Sequence, residues 1–195
     1  MVTHLDKPIK SSFLSCEKNT ELILQKLFVD NKQHSRKLKK LLVINTKDCL
    51  NNPKYDDIVN KMSVGDMINE GYVRLYPKFA MQEHQEVKAY ILISYDNFAM
   101  TDNPEFRDCT IDFDIICHTD YWDCGDFKIR PLQIAGYIDG LLNNEKLVGI
   151  GTLHFLGCKE LLYNEHLSGY TLSFAAVHGR EDYIPDEGAE PVYYG

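Results

Sequence analysis

The side chains that could do chemistry in this sequence concentrate between Arg107 and Asn144. Cys117, His118 and Cys124, with Asp120, Asp123 and Asp126 beside them, come nearest to a metal-ligand cluster. Zinc sites use a tight Cys-x2–4-Cys pair and a second matching pair. Here six residues separate Cys117 from Cys124, so the spacing favours a buried cysteine and a loop histidine over a metal centre. Asp112 and Asp114 lie two residues apart on one face of an alternating stretch, within about 7 Å of each other. Paired acids of that kind can hold Mg²⁺ for phosphoryl chemistry. Such a site also needs a lysine or a further ligand on a neighbouring strand, and nothing in the sequence specifies one. Alternating acids equally mark the solvated side of a half-buried sheet. A metal-dependent phosphoesterase or nuclease built on Asp112, Asp114 and His118 is therefore the alternative reading. The favoured expectation is no catalytic residue, no metal and no cofactor.

Other motifs fail sooner. Gly149-Ile150-Gly151 lacks the third glycine and the strand-to-helix setting of a dinucleotide loop, and no phosphate-cradling Gly-Lys-Ser/Thr motif occurs. No Gly-x-Ser-x-Gly elbow is present. His118, His154 and His178 have no spacing that pairs them with a nucleophile. The basic run from Lys32 to Lys40 reads as the solvated face of a helix, although in an acidic protein it could also dock an acidic neighbour. Trp122 is either an interface contact or a plug over the sheet edge.

The elements that position these residues follow from periodicity. Cys109, Ile111, Phe113, Ile115 and Cys117 alternate with Thr110, Asp112, Asp114 and His118, broken only by Ile116, which predicts a half-buried strand. An acidic, aromatic loop follows, then a Pro131-initiated helix over 130–143 with Ile134, Ala135, Ile138, Leu141 and Leu142 as its apolar stripe. Upstream, a helix is expected from Asn19 or Thr20, with Leu24, Leu27 and Phe28 at helical spacing and Leu38, Leu41 and Leu42 resuming after a polar gap. Asn52-Pro53 reads as an N-cap with proline in the first turn, Ser63 with Asp66 as a capping box, and Gly71 as a helix stop. Strands are expected over 72–78, 86–95, 150–163 and 167–177, the last two as a hairpin, with a loop over 96–106. Helices, three strands, a helix and a hairpin make an α+β fold: one mostly antiparallel sheet with helices on one face. The expected organisation is an N-terminal arm (1–19), one domain over 20–177 (helical to 70, sheet from 71), and an acidic arm over 178–195.

The 195 residues suffice for one domain with a full core. The formal net charge of −8 argues against a simple nucleic-acid-binding domain, which carries a basic footprint. No apolar run approaches the ~20 residues that cross a bilayer. The first sixteen residues have no apolar core of a secretory signal. Six cysteines without a disulfide-scaffold rhythm point to a reducing compartment.

The order of elements carries a resemblance. A strand ends in Ile115-Ile116-Cys117-His118-Thr119-Asp120-Tyr121-Trp122. Arg130-Pro131-Leu132-Gln133-Ile134 opens a helix ending in Ile138-Asp139-Gly140-Leu141-Leu142. A strand with Gly151, Leu153 and Phe155 follows, then Gly169-Tyr170-Thr171-Leu172. Over roughly residues 70 to 178 this resembles the tail-terminator and tail-completion proteins of tailed bacteriophages; the helical first 70 residues and the acidic arm are longer than a minimal subunit of that family needs. The resemblance implies a small α+β virion protein of the neck, assembled in the host cytoplasm. It implies a hexameric ring that caps the tail tube and joins it to the head. Its partners would be copies of itself, the tail tube or sheath, and head–tail adaptor or portal-associated proteins. Another connector or head-completion subunit is the near alternative. A closing ring uses head-to-tail contacts, and arms that wrap a neighbour enlarge the interface. Asp112, Asp114, Asp120, Asp123 and Asp126 become candidates to line a lumen that passes DNA without binding it. Trp122, Arg130, Tyr183, Tyr193 and Tyr194 become candidate interface residues.

Overall fold

The computed structural model describes residues 13–75, 87–103 and 106–179. The helical layer comes first. Helix α1 spans Ser15–Gln25 and runs into a π-helical turn, Lys26–Asp30; α2 follows over Lys32–Val43. Asn31 separates them, its side chain accepting the His34 N–H to cap α2. The fold thus begins at least five residues before Thr20. Ser15 and Asn19, expected in an arm, are buried, and Phe13 packs its ring 4.6 Å from that of Phe98.

The short helices obey their capping residues. Asn52 accepts the Lys54 N–H ahead of the 3-10 turn Pro53–Tyr55, which leads into α3, Asp56–Lys61. Ser63 and Asp66 form a reciprocal capping box on α4, Val64–Asn69, and Gly71 reverses the chain at φ +78°.

The main sheet has five strands in the order β1-β2-β3-β7-β6. They are β1 Val73–Arg74, β2 Ala89–Met100, β3 Phe106–His118, β6 His154–Leu162 and β7 Leu167–Gly179. Only the β1–β2 pair is parallel. The mostly antiparallel α+β architecture read from the sequence is the one observed. Helix α5, Arg130–Leu142, lies on the same face as the N-terminal helices and packs over β3 and β7. Two details differ from expectation. Strand β2 continues through 96–100, where a loop was expected, because Asn97 takes a left-handed conformation (φ +53°) and absorbs the register shift between Asp96 and Ala99 as a bulge. The segment 150–163 is split by Leu153. A small hairpin of β4 (Lys146–Leu147) and β5 (Gly151–Thr152) precedes β6, and Leu153 turns into the core.

Period-two alternation decides the core. The inward set of β3, Cys109 to Cys117, is buried against Ile91 and Ile93 of β2, Leu172, Phe174 and Ala176 of β7, and the apolar faces of α1, α2 and α5. Phe113 and Phe174 meet edge to face at 5.7 Å. Ile116, the break in the alternation, joins Tyr90, Leu92 and Leu167 in a second buried cluster on the opposite face, with Leu161 beside it. That face of the sheet is therefore not the uniformly solvated surface that its acids imply.

Gly169 sits where β7 crosses Ile116 of β3, and a Cβ there would stand 1.9 Å from the Ile115 carbonyl oxygen. Gly157 on β6 has open space around it. Gly169→Ala should lower unfolding stability by about 3 kcal/mol or prevent folding, whereas Gly157→Ala should change it by less than about 0.5 kcal/mol. Urea denaturation of both variants checks this, and equal stabilities would contradict the packing described.

Candidate functional site: the loop between β3 and α5

The loop from His118 to Arg130 joins the centre of the sheet to α5. His118 closes β3, and its Nδ1 accepts the Asp120 N–H, opening a 3-10 turn over Thr119–Tyr121. Its ring stacks on that of His166 at 5.7 Å. A bridge between Asp123 and Ile129 pinches the loop. At its tip Gly125, Asp126 and Phe127 all have positive φ (75°, 50° and 60°). Glycine adopts that conformation freely, but for an aromatic residue it is strained. Phe127 is left fully exposed.

The sequence-derived candidates have separate fates. Arg130, expected at an interface, is wholly buried. Its Nε donates to Tyr121 O at 2.7 Å, Nη1 to Leu41 O at 2.6 Å and Ile44 O at 2.9 Å, and Nη2 to Thr46 O at 3.0 Å. The guanidinium is a clamp inside the subunit and presents nothing to a partner. Its place at the head of a helix gave the residue its apparent exposure; the end of α2, which needs donors for its last carbonyls, draws it in. Trp122, an interface contact or a plug in the two readings, is half-buried against the core; it donates its indole N–H to Cys117 O at 3.4 Å, with its ring 6.4 Å from Tyr170. Tyr183, Tyr193 and Tyr194 lie outside the described residues.

Asp112 and Asp114 project from the face opposite the helices, yet each is half-buried and accepts a neighbouring hydroxyl, from Ser173 at 2.5 Å and Thr171 at 2.6 Å respectively. These pairings follow from the β3–β7 register. Neither acid is the freely solvated group that the alternation alone implied. Among the described residues no group of three or more His, Cys, Asp or Glu could hold a metal ion. The loop acids are surface groups. Asp120 is exposed, Asp123 pairs with Lys47 at 2.7 Å, and Asp126 lies 3.4 Å from Lys128 and accepts from Asn51 at 3.0 Å.

Cys117 and Cys124 do not converge. Cys117 points into the core, where burial pushes its thiol up to about 12. Cys124 instead meets Cys49, a residue with no sequence signal linking it to the loop. The hydrogen bond from Cys124, and then Arg130 close by, hold the Cys49 thiol below its ordinary range. Phe127 was equally missed; an aromatic residue directly after Gly125-Asp126 in a loop is the signal that could have flagged it.

The site is thus a loop, pinned by its own hydrogen bonds and by Arg130, that carries exposed acids and one exposed aromatic ring on an α+β fold with a single helical layer. A family model described as YomW matches residues 35–176, and the chain belongs to that family, which is phage-derived. No curated protein matches the chain. Among solved structures, a chain from the "Virion of native gene transfer agent (GTA) particle" is 17% identical, with a TM-score of 0.40, covering 65% of this chain and 91% of that one. A likeness of that degree bears on neither fold nor role.

Two outcomes follow. Arg130→Met should remove about 3–5 kcal/mol of stability by leaving four carbonyl oxygens without their donor, and Arg130→Lys roughly half of that. Chemical denaturation measures both. The second concerns acid. Lys40 beside Asp56, the Ser63 N–H on Asp66, Asn52 on Asp48 and Lys47 on Asp123 hold these four carboxyls below the ordinary range. Groups depressed in the folded state contribute stability that is complete above the unfolded carboxyl pKa of about 3.9 and is lost as pH falls through the folded values. The thermal midpoint should therefore fall steeply below about pH 4. Asp56→Asn with Asp66→Asn should shallow that fall; a midpoint that holds steady to lower pH would contradict it.

Proposed function

We propose that this protein is a structural component of the virion of a tailed phage, and that it acts in the neck as a tail terminator. Copies would close into a ring, with six as the expected number, that caps the tail tube and joins it to the head. The proposed partners are further copies, the tube or sheath protein, and adaptor or portal-associated proteins on the head side. Membership of a phage-derived family supports a phage role.

The observation that carries the assembly reading is strand β6. Among the described strands it is an edge of the sheet nine residues long, and its helix-side residues Phe155, Cys158, Glu160 and Leu162 are exposed because α5 packs over β3 and β7. Leu156, at the bulge, is 59% exposed and Leu162 74%. A long exposed edge that carries Phe155, Leu156 and Leu162 is a template for another chain. Between identical copies, a contact from β6 to a different surface is head-to-tail and generates a ring when the rotation closes. Phe127 on its strained loop is a second contact point. Asp120, Asp123 and Asp126 on that loop would face the lumen and repel the phosphate backbone of passing DNA.

Light scattering and negative-stain microscopy of the protein, alone and mixed with tube protein, test the reading. Rings are expected. Leu156→Lys with Leu162→Lys should abolish them while shifting stability by less than about 0.5 kcal/mol per site, since both side chains already face solvent. Rings that persist in this variant would sink the edge contact; a monomer under every condition would sink the ring. In assembled particles, Asp120→Asn with Asp123→Asn and Asp126→Asn should leave the ring intact and slow DNA ejection, and normal ejection would count against a lumen position.

A further inference from the structure

A groove of about 580 Å³ lies on the outside of the helical layer, between the end of the π-helical turn and α2 on one side and α3 and the start of α4 on the other. Its floor is apolar, with Phe28 buried and Met62 half-buried. Lys32, Arg36 and Lys39 line it on successive turns of α2. The nearby acids do not balance them. Asp56 is shared between Arg36 at 3.4 Å and Lys40 at 2.5 Å, Asp66 is occupied by its capping box, and Lys39 donates one N–H to the Met62 carbonyl at 2.7 Å, which leaves Lys32 and the remaining donors of Lys39 for an incoming acid. Ser35 adds an independent sign of a missing ligand. It lines the same groove, is 2% exposed, and its hydroxyl has no hydrogen-bond partner. Buried hydroxyls are ordinarily satisfied, so an orphan in a groove wall marks a place where a polar atom belongs.

We infer that this groove is a binding site for an acidic extended peptide carrying an apolar anchor, and that its occupant is the chain's own C-terminal segment, residues 180–195. The chemistry of that segment is complementary. Glu181, Asp182, Asp186, Glu187 and Glu190 stand against a single cation, Arg180, and Tyr183-Ile184 sits between the acids as the anchor. Sixteen residues beyond β7 can span roughly 55 Å when extended, enough to cross the subunit or reach a neighbouring one. Acids would meet Lys32 and Lys39 of α2, Tyr183 or Ile184 would lie on Phe28 and Met62, and a backbone carbonyl or carboxylate would accept the Ser35 hydroxyl. The site serves either a closed ring or a lone subunit, so it does not depend on the role in the neck.

Photo-crosslinking of the full chain tests this directly. With Tyr183 replaced by benzoylphenylalanine, irradiation followed by peptide mass mapping should place the links within 28–39 and 59–64. Product of monomer size assigns the tail to the same copy and product of dimer size to a second copy; either supports occupancy of the groove. Lys32→Glu with Lys39→Glu should lower the yield about tenfold, and 0.5 M salt should lower it in the unsubstituted chain. If the double variant does not fold, Lys32→Glu alone serves, because an acid in the first turn of α2 suits the helix dipole. Ser35→Ala should reduce the yield about threefold without lowering the thermal midpoint, the reverse of what a merely structural hydroxyl would show. Links that map elsewhere, or yields indifferent to charge reversal and salt in a folded protein, would overturn the assignment.

Discussion

The structure depends on one buried cation. Among the described residues Arg130 has no carboxylate opposite it; its guanidinium is solvated by carbonyl oxygens from the end of α2, from the connection that follows it, and from the loop leaving β3. An ionised group removed from water is tolerated only when its donors are nearly all used, and the planar fork of arginine can reach several acceptors at once. Because Arg130 and its acceptor Leu41 are almost ninety residues apart in the chain, the clamp fixes how the N-terminal helices sit on α5 and hence on the sheet. The negative end of α2 makes the burial less unfavourable. Pro131 then starts α5 without needing the N–H it lacks, and the Trp122 carbonyl accepts the Arg130 N–H at 2.6 Å.

From that joint the rest follows by layers. Helix α5 lies over β3 and β7, α2 touches β2, and the strand at the far edge extends past the helices. The same geometry that completes the core in the middle of the sheet leaves β6 with apolar residues in water. A fold of this kind satisfies itself at the centre and leaves apolar side chains exposed at one rim.

Much of this was legible in the sequence because it rests on local rules. The inward residues of β3, the stripe of α5, the cap at Asn52 and the box at Ser63 and Asp66 are decided by neighbours a few positions away. What stayed hidden required knowledge of distant partners. Nothing near Arg130 says that Leu41, Ile44 and Thr46 will supply its acceptors, and nothing near Cys49 announces Cys124. Asp112 and Asp114 were read as solvated because alternation reports a face without saying what lies across it; Thr171 and Ser173 lie there. Ile116 looked like a flaw in the pattern and is instead the sign of a second apolar cluster. The basic run on α2 was visible as charge, but the groove beneath it appears only when α3 and α4 fold back.

The place of β7 between β3 and β6 has a temporal consequence. Phe106 pairs with Gly179 and His118 with Leu167, so the central ladder joins residues roughly 50 to 70 positions apart and its closure is entropically slow. During synthesis the β2–β3 hairpin emerges with its inner edge bare and must wait for the last strand of the domain. A bare edge rich in isoleucine is prone to pairing with another nascent chain. Strand β3 carries Asp108, Asp112 and Asp114 along that waiting edge. Their charge would discourage premature pairing between copies until β7 arrives, bringing the hydroxyls that receive two of them.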